Sequence, residues 1–294
     1  MATASEWLSG LRLRTLPAAI SPVVLGVGAA WQGDQPNWAK AGLCLVVALG
    51  LQIGVNFSND YSDGKRGSDA DRDGPTRLVA SGAAKPGAVK AAAFVAFGVS
   101  AAAGLGLAYL TRQWWLIAVG AAAIAAAWFY TGGRRPYGYR GLGEVGVFLF
   151  FGPVAVLGTT YVQGLWISWR AIVASVGVGL LACAILMANN LRDLDADKQV
   201  GKMTLAVKLG GMVSRGVYAW EMWAAIAAGA VCAIGRPRVL VVLLMAIPTA
   251  RLTAAVGDGL RGKDLVRVLT RTGQVELGYS ILLGLAMADL GIYS

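Results

Sequence analysis

The sequence predicts an all-α integral membrane protein: nine transmembrane helices in one bundle, a single domain over residues 1–294. Three observations carry this. Hydrophobic residues make up 56% of the chain and mean hydropathy is +0.60. Charged residues make up only 14%, against about 25% in a soluble globular protein. Apolar runs close to the roughly 20 residues of a bilayer crossing recur from end to end.

At the start of the chain, residues 1–14 place Trp7, Leu8 and Leu11 at helical spacing beside Arg12 and Arg14, which predicts a short helix lying in the membrane interface. Leu16–Trp31 is the first apolar run, short and carrying Pro17 and Pro22. The basic residues ahead of it and Gly28-Ala29-Ala30 at its end resemble a cleaved leader, but the run is read as retained. Trp38–Ser58, Ala88–Leu110, Trp114–Tyr130, Gly143–Val162, Ala171–Ala188, Val217–Ile234, Val239–Val256 and Gln274–Ile292 complete the nine. Lone Gly and Pro residues inside them are tolerated in membrane helices. Runs two to five and six to nine can be set against each other as two four-helix pseudo-repeats, with the first run as an extra element. The longest connections are 59–87 and 191–216, and both lie on the same side. Long connections inside a compact domain tend to be functional.

Charge orients the bundle. The net charge is +10, yet with nine crossings only Lys40, Arg112, Arg170, Arg236 and Arg238 fall on one side. Lys90 and Arg251 fall inside runs, and every other basic residue falls on the opposite side. Positive charge stays cytoplasmic, so the N-terminus and the two long connections are cytoplasmic. Basicity therefore reflects topology, not nucleic-acid binding. The absence of histidine excludes His-based catalytic triads, imidazole metal sites and haem held by His. Cys44, Cys183 and Cys232 sit in separate apolar runs, which does not suggest a disulfide framework.

Two segments carry the chemistry: Asn59-Asp60-Tyr61-Ser62-Asp63 and Asn189-Asn190-Leu191-Arg192-Asp193. Each has an Asn followed four residues later by Asp, and each lies where an apolar run ends. Gln52, Asn56, Asn59, Asp60 and Asp63 form one helical stripe, and Asn190, Asp193 and Asp197 form another. Polar stripes on membrane helices face the bundle interior or an aqueous cavity; one such stripe alone also suits a solvated helix end. Eight of the 16 acidic residues fall in Asp60–Asp73 and Asp193–Asp197, with Arg66, Arg77, Arg192 and Lys202 beside them. Oxygen ligands without imidazole or thiolate select a hard cation, and Mg²⁺ is favoured where it bridges carboxylates to phosphate. Interleaved Arg and Lys suit the remaining oxygens of a polyphosphate.

The first segment with Arg66-Gly67 and Asp69, and the second with Asp197 and Gly201-Lys202-Met203-Thr204-Leu205, resemble the UbiA superfamily of intramembrane prenyltransferases. Tyr130-Thr131-Gly132-Gly133, Pro136-Tyr137-Gly138-Tyr139 and Gly141-Leu142-Gly143-Glu144 extend the resemblance to the branch acting on 1,4-dihydroxy-2-naphthoate in menaquinone synthesis. Two features depart from the wider pattern. A common third Asp is replaced by Gly67, with Asp69 beyond it, and the second segment opens with Asn189-Asn190 where many relatives have Asp.

The resemblance implies a polyprenyl diphosphate held through Mg²⁺ between the two segments. Asn59, Asp60, Asp63, Asn190, Asp193 and Asp197 become metal ligands, with Asp60, Asp63, Asp193 and Asp197 the catalytic carboxylates. Asn56, Asp69, Arg77, Tyr130, Arg140 and Lys202 become substrate contacts, while Arg66 and Arg192 steady carboxylates. Tyr130 either orients the aromatic acceptor or belongs to an interfacial belt, and Glu144 is a candidate base or orienting group. The implied reaction prenylates 1,4-dihydroxy-2-naphthoate with loss of diphosphate and CO₂, the polyprenyl tail lying among membrane lipid. Another acceptor, 4-hydroxybenzoate or homogentisate, is the alternative enzyme reading. A cation-coupled transporter is the alternative from another class, although its site is expected at the midplane.

Overall fold

The computed structural model describes residues 2–31, 35–67 and 77–288, and within them every regular element is helical. In chain order these are α1 (Ala4–Gly10), α2 (Leu16–Ala30), α3 (Trp38–Arg66), α4 (Pro86–Thr111) and α5 (Leu116–Phe129). They continue as α6 (Gly143–Gly164), α7 (Trp169–Arg192), α8 (Leu194–Gln199), α9 (Leu205–Val231), α10 (Pro237–Gly257) and α11 (Asp264–Met287).

Six stretches are long and apolar enough to cross a bilayer among the described residues: Ala4–Ala30, α3, α4, α6, α7 and α10. The sequence pattern predicts nine runs. α5 is apolar but has only 14 residues. α9 and α11 are long but less apolar, since they carry Arg215 and Glu221, and Arg271 and Glu276. Both glutamates are buried among other helices, so hydropathy averaged along the chain penalises side chains that never meet lipid.

α3 starts at Asn37, whose side chain accepts a hydrogen bond from the Lys40 N–H at 3.0 Å. It ends at Gly67, which takes a left-handed φ of 73°. Its 29 residues span about 43 Å at 1.5 Å per residue, more than the roughly 30 Å of the hydrocarbon layer. The Asn59–Asp63 segment therefore belongs to the last helical turns of α3, and 59–87 is not a connection from its first residue. Likewise, much of 191–216 is helical, in α8 and the beginning of α9. Hydropathy marks where a helix leaves the apolar layer; it does not mark where the helix stops.

α7 is the central helix. Ala171, Ala174, Val178, Leu181, Ala184, Met187 and Ala188 are fully buried on it, as expected of a helix apolar on all sides. They join residues of α2, α6, α9, α10 and α11 in one core. A second cluster, centred on Phe57, Leu78, Val89, Ala93, Phe97 and Ala127, unites α3, α4 and α5. Small residues let helices approach closely. A Cβ on Gly28 of α2 would lie 2.4 Å from the Gly284 carbonyl oxygen of α11. Large apolar side chains such as Phe94, Val95, Trp220 and Leu244 point outward, the reverse of a soluble protein.

Two local features depart from plain helix packing. α1 lays Trp7 edge-on against Phe57, with ring centroids 5.7 Å apart, and turns Leu8 outward. Within α6, Phe150–Leu157 is a π-helical stretch containing Pro153, wider than the α-helical turns on either side.

Gly28→Leu should lower the Tm of the detergent-purified protein, through the overpacking cost of about 1–3 kcal/mol. An unchanged Tm would show that α2 and α11 are not held at this separation.

Candidate active site

Between the α3–α4–α5 cluster and the α7 core lies a cavity of about 560 Å³. Its polar end is lined by Gln52, Asn56, Asn59, Asp63, Arg77, Tyr130, Thr131, Tyr137, Asn189, Asn190 and Lys202, while the remainder is almost wholly apolar. The stripe seen in the sequence thus faces this space, and the ends of α3 and α7 meet at its mouth.

Lys202 joins the two segments. Its Nζ lies 3.8 Å from Asp63 Oδ2 of α3 and 3.5 Å from Asp197 Oδ1 of α8. It also stands over the Tyr139 ring, 5.1 Å from the centroid. The Tyr139 hydroxyl donates to Asp63 Oδ1 at 2.7 Å. Asp63 and Asp197 are 2% and 3% exposed, and this shared ammonium helps make two buried carboxylates tolerable there.

The other ligand candidates divide. Thr131 Oγ1 donates to Asn59 Oδ1 at 2.7 Å. Asn190 Nδ2 donates to Glu144 Oε1 at 3.0 Å, so Glu144 orients an amide at the mouth. Asp193 is gripped by Arg192, whose Nε and Nη2 donate to its two oxygens at 2.7 and 2.6 Å. Arg192 Nη2 also reaches Asn189 Oδ1 at 2.9 Å. Arg192 therefore steadies a carboxylate as expected. Asp193 also lines a second, polar pocket with Arg215 and Arg261.

Three expected roles are corrected by the geometry. Asp60 turns away from the cavity, and its two oxygens accept the Leu78 and Val79 backbone N–H groups at 2.9 and 3.0 Å. At 1% exposure it is an anchor for the chain entering α4. Arg140 is exposed and absent from the cavity wall; its carbonyl accepts a hydrogen bond from Lys208 Nζ at 2.5 Å. Arg66, expected to steady a carboxylate, turns to backbone carbonyls. It donates to the Thr131 carbonyl, to the Gly133 carbonyl at 2.5 Å, and lies over Tyr139. Asn56 lines the cavity, but its amide donates to the Leu11 carbonyl at 2.9 Å and Thr15 Oγ1 at 3.2 Å, tying down the N-terminal segment. Asp69 lies outside the described residues.

Thr131, Tyr137 and Tyr139 are individual contacts that the sequence reading does not single out. All lie in the connection from α5 to α6, where no periodicity flags them. Tyr137 packs edge-on against Tyr130, 5.4 Å between centroids, and its burial pushes its hydroxyl up to about 12. Gly146 makes room for it, since a Cβ there would lie 2.8 Å from the Tyr137 ring.

Among the described residues no three acidic or thiol side chains are placed to cage a metal by themselves. The donor set nevertheless suits Mg²⁺, which dehydrates reluctantly and uses one or two carboxylates plus substrate phosphates. Two carboxylates from different helix ends already share one cation in Lys202. Asn59 and Asn190 line the same end of the cavity, and Asp193 follows Asn190 by about one helical turn at the end of α7.

The model of the UbiA prenyltransferase family matches residues 19–262. The chain is 48% identical over 288 residues to the 1,4-dihydroxy-2-naphthoate octaprenyltransferase of Mycobacterium tuberculosis, covering 98% of each protein. It is 37% identical over 219 residues to the Escherichia coli protein of the same name, covering 72% of this chain and 71% of that one. The solved structure of a UbiA homologue from Archaeoglobus fulgidus bound to GPP and Mg²⁺ aligns with a TM-score of 0.72 at 16% identity, covering 98% of this chain and all of that one. That last likeness is one of fold. The chain belongs to the UbiA prenyltransferase family.

Asp60→Ala should destabilise the protein by about 3 kcal/mol, since it strips two buried N–H groups of a charged acceptor; Asp63→Asn should cost less. Thermal unfolding of both variants tests this, and equal Tm values would remove the anchoring role. Tyr137 titrates higher folded than unfolded, where about 10 is usual. Its contribution to stability is therefore complete below about pH 10 and lost as pH rises through about 12. Tyr137→Phe should flatten that alkaline limb in a pH series of Tm.

Proposed function

We propose that this protein transfers a polyprenyl group from its diphosphate to 1,4-dihydroxy-2-naphthoate, with loss of diphosphate and CO₂, in menaquinone biosynthesis. The observation that carries the reading is the junction of two acidic helix ends around Lys202 at the mouth of an apolar cavity. The names of the curated relatives point to the same donor class and acceptor.

The residues fit the parts of the reaction. Asn59, Asp63, Asn190, Asp193 and Asp197 would hold Mg²⁺ at the mouth. Bound there, the metal supplies charge neutralisation for the departing diphosphate. Lys202 and Arg77 line the same end and take the remaining phosphate oxygens. The donor C–O bond breaks with its electron pair leaving on diphosphate, and the allylic carbon forms a C–C bond to the naphthoate ring, whose carboxyl group departs as CO₂. The product is the prenylated naphthoquinol, the reduced form of demethylmenaquinone. The edge-on pair Tyr130 and Tyr137 forms the wall against which an aromatic acceptor packs. The apolar lining behind them keeps water from the allylic cation. Glu144 acts through Asn190 as a positioning residue.

Topology completes the reading. We take α2 to α7 and α9 to α11 as nine crossings, arranged as two four-helix halves plus α2, with α1 lying in the interface. Positive charge then places the N-terminus and the cavity mouth on the cytoplasmic side, where a water-soluble naphthoate arrives, while the tail runs through the apolar part of the cavity toward lipid.

The test is an assay of the purified protein with Mg²⁺, geranyl diphosphate and 1,4-dihydroxy-2-naphthoate. Prenylated naphthoquinol is expected, and EDTA should abolish its formation. Asp63→Ala and Asp193→Ala should each lower kcat by about 100-fold or more, the scale of losing a main electrostatic contact, while still inserting and purifying normally. Absence of product from the wild type, or near wild-type turnover in either variant, overturns the proposal.

A further inference from the structure

The deep part of the cavity contains glycines whose missing Cβ leaves open space. Gly104 of α4, Gly120 of α5 and Gly158 of α6 all line the cavity, and a Cβ built on any of them meets no atom within 4 Å. Other helix glycines behave oppositely. A Cβ on Gly28, Gly50, Gly54 or Gly177 would come within 3 Å of a neighbour, so those four serve close packing. Gly146 lines the same cavity but is filled by Tyr137. Glycine in a helix interior is less favourable than alanine. At these three positions no helix contact offsets that cost; what they contribute is space.

All three lie well away from the polar end. At 1.5 Å per residue, Gly120 lies about 15 Å along α5 from Tyr130, and Gly158 about 22 Å along α6 from Gly143, both measured from the polar mouth. Gly104 lies about 27 Å from the first residue of α4. The cavity wall beside them is formed by Ala101, Leu105, Ala121, Ile124, Ala155 and Val162, with Ser100 and Thr159 as its polar members. The polar mouth fixes the diphosphate, so the glycines lie where the distal part of a prenyl chain must pass.

We infer that Gly104, Gly120 and Gly158 determine which prenyl donors the enzyme accepts, keeping the distal cavity wide enough for long chains. This rests on the proposed prenyl-transfer function. A leucine at any of the three fills cavity space without forcing the backbone to move, because its Cβ meets open space. Such a variant should exclude long donors and keep short ones. Gly98→Leu is the matched control: Gly98 lies on α4 and is equally open, but it does not line the cavity.

The experiment compares geranyl diphosphate with octaprenyl diphosphate in turnover, and their non-hydrolysable thiolodiphosphate analogues in calorimetric binding. Gly120→Leu, Gly104→Leu and Gly158→Leu should each weaken the octaprenyl donor by about tenfold or more, the scale of a few misfitted methylenes. Geranyl values should stay within about twofold, and Gly98→Leu should change neither. Equal loss for both donors, or no loss for either, overturns the inference. Binding keeps the two questions apart: a wild type that binds both analogues but does not prenylate the naphthoate refutes the acceptor reading, and chain-length selection is then decided by binding alone. A wild type that binds neither analogue refutes both.

Discussion

The active end of this protein depends on one shared charge. Asp63 and Asp197 come from helices on opposite sides of the cavity, and both are buried. Two carboxylates so placed repel each other and resist desolvation. The Lys202 ammonium between them, 3.8 and 3.5 Å away, converts that repulsion into a link between the end of α3 and the end of α7 with α8. It also defines what a bound cation and anion would replace. Cationic charge already bridges the two acidic segments, which is what the metal–diphosphate complex of the proposed reaction would require of them.

Around this link, polar groups are satisfied by backbone at close range. Asp60 caps the N–H groups of Leu78 and Val79. Arg66 holds the carbonyls of Thr131 and Gly133, and Gln52 and Asn56 hold the N-terminal segment through Thr15 and Leu11. Each contact joins a connection to a helix end. The connections lack the apolar faces that hold helices in the bundle, so side-chain hydrogen bonds perform that work. Mouth geometry is therefore set by residues beyond the ligand candidates.

How much of this is legible in the sequence depends on the kind of signal each residue gives. The apolar runs mark the helix positions because lipid contact demands length and hydrophobicity. The stripe from Gln52 to Asp63 marks the cavity-facing side of α3 because a helix repeats every 3.6 residues. Asp60 is misassigned within that stripe. It is one position from Asn59, a rotation of about 100°, and its partners lie 18 and 19 residues further on. Arg66 misleads for a related reason: a guanidinium beside acidic residues in sequence spends its donors on backbone carbonyls. Tyr139, which touches Asp63 and underlies two cations, sits in a connection with no period to reveal it. Glu221 and Glu276, buried among other helices, lower the apolarity of α9 and α11, yet both runs are still legible as long apolar helices.

The π-helical stretch of α6 has a consequence for how the two ends of the cavity relate. Its hydrogen bonds reach one residue further than those of an α-helix, so the helix beyond Leu157 is out of phase with the helix before Phe150. Gly143 and Glu144, near the mouth, and Gly158 and Thr159, in the depths, are thereby released from a common rotational register. The same helix can present one set of side chains to a charged, water-facing reaction and another to a greasy tail without compromise between them. Phe150, Phe151, Val154 and Ala155, which line the cavity along this stretch, form the joint. A one-residue insertion or deletion there is a natural place for variation, since it would rotate the deep wall against the mouth while leaving the chemistry in place.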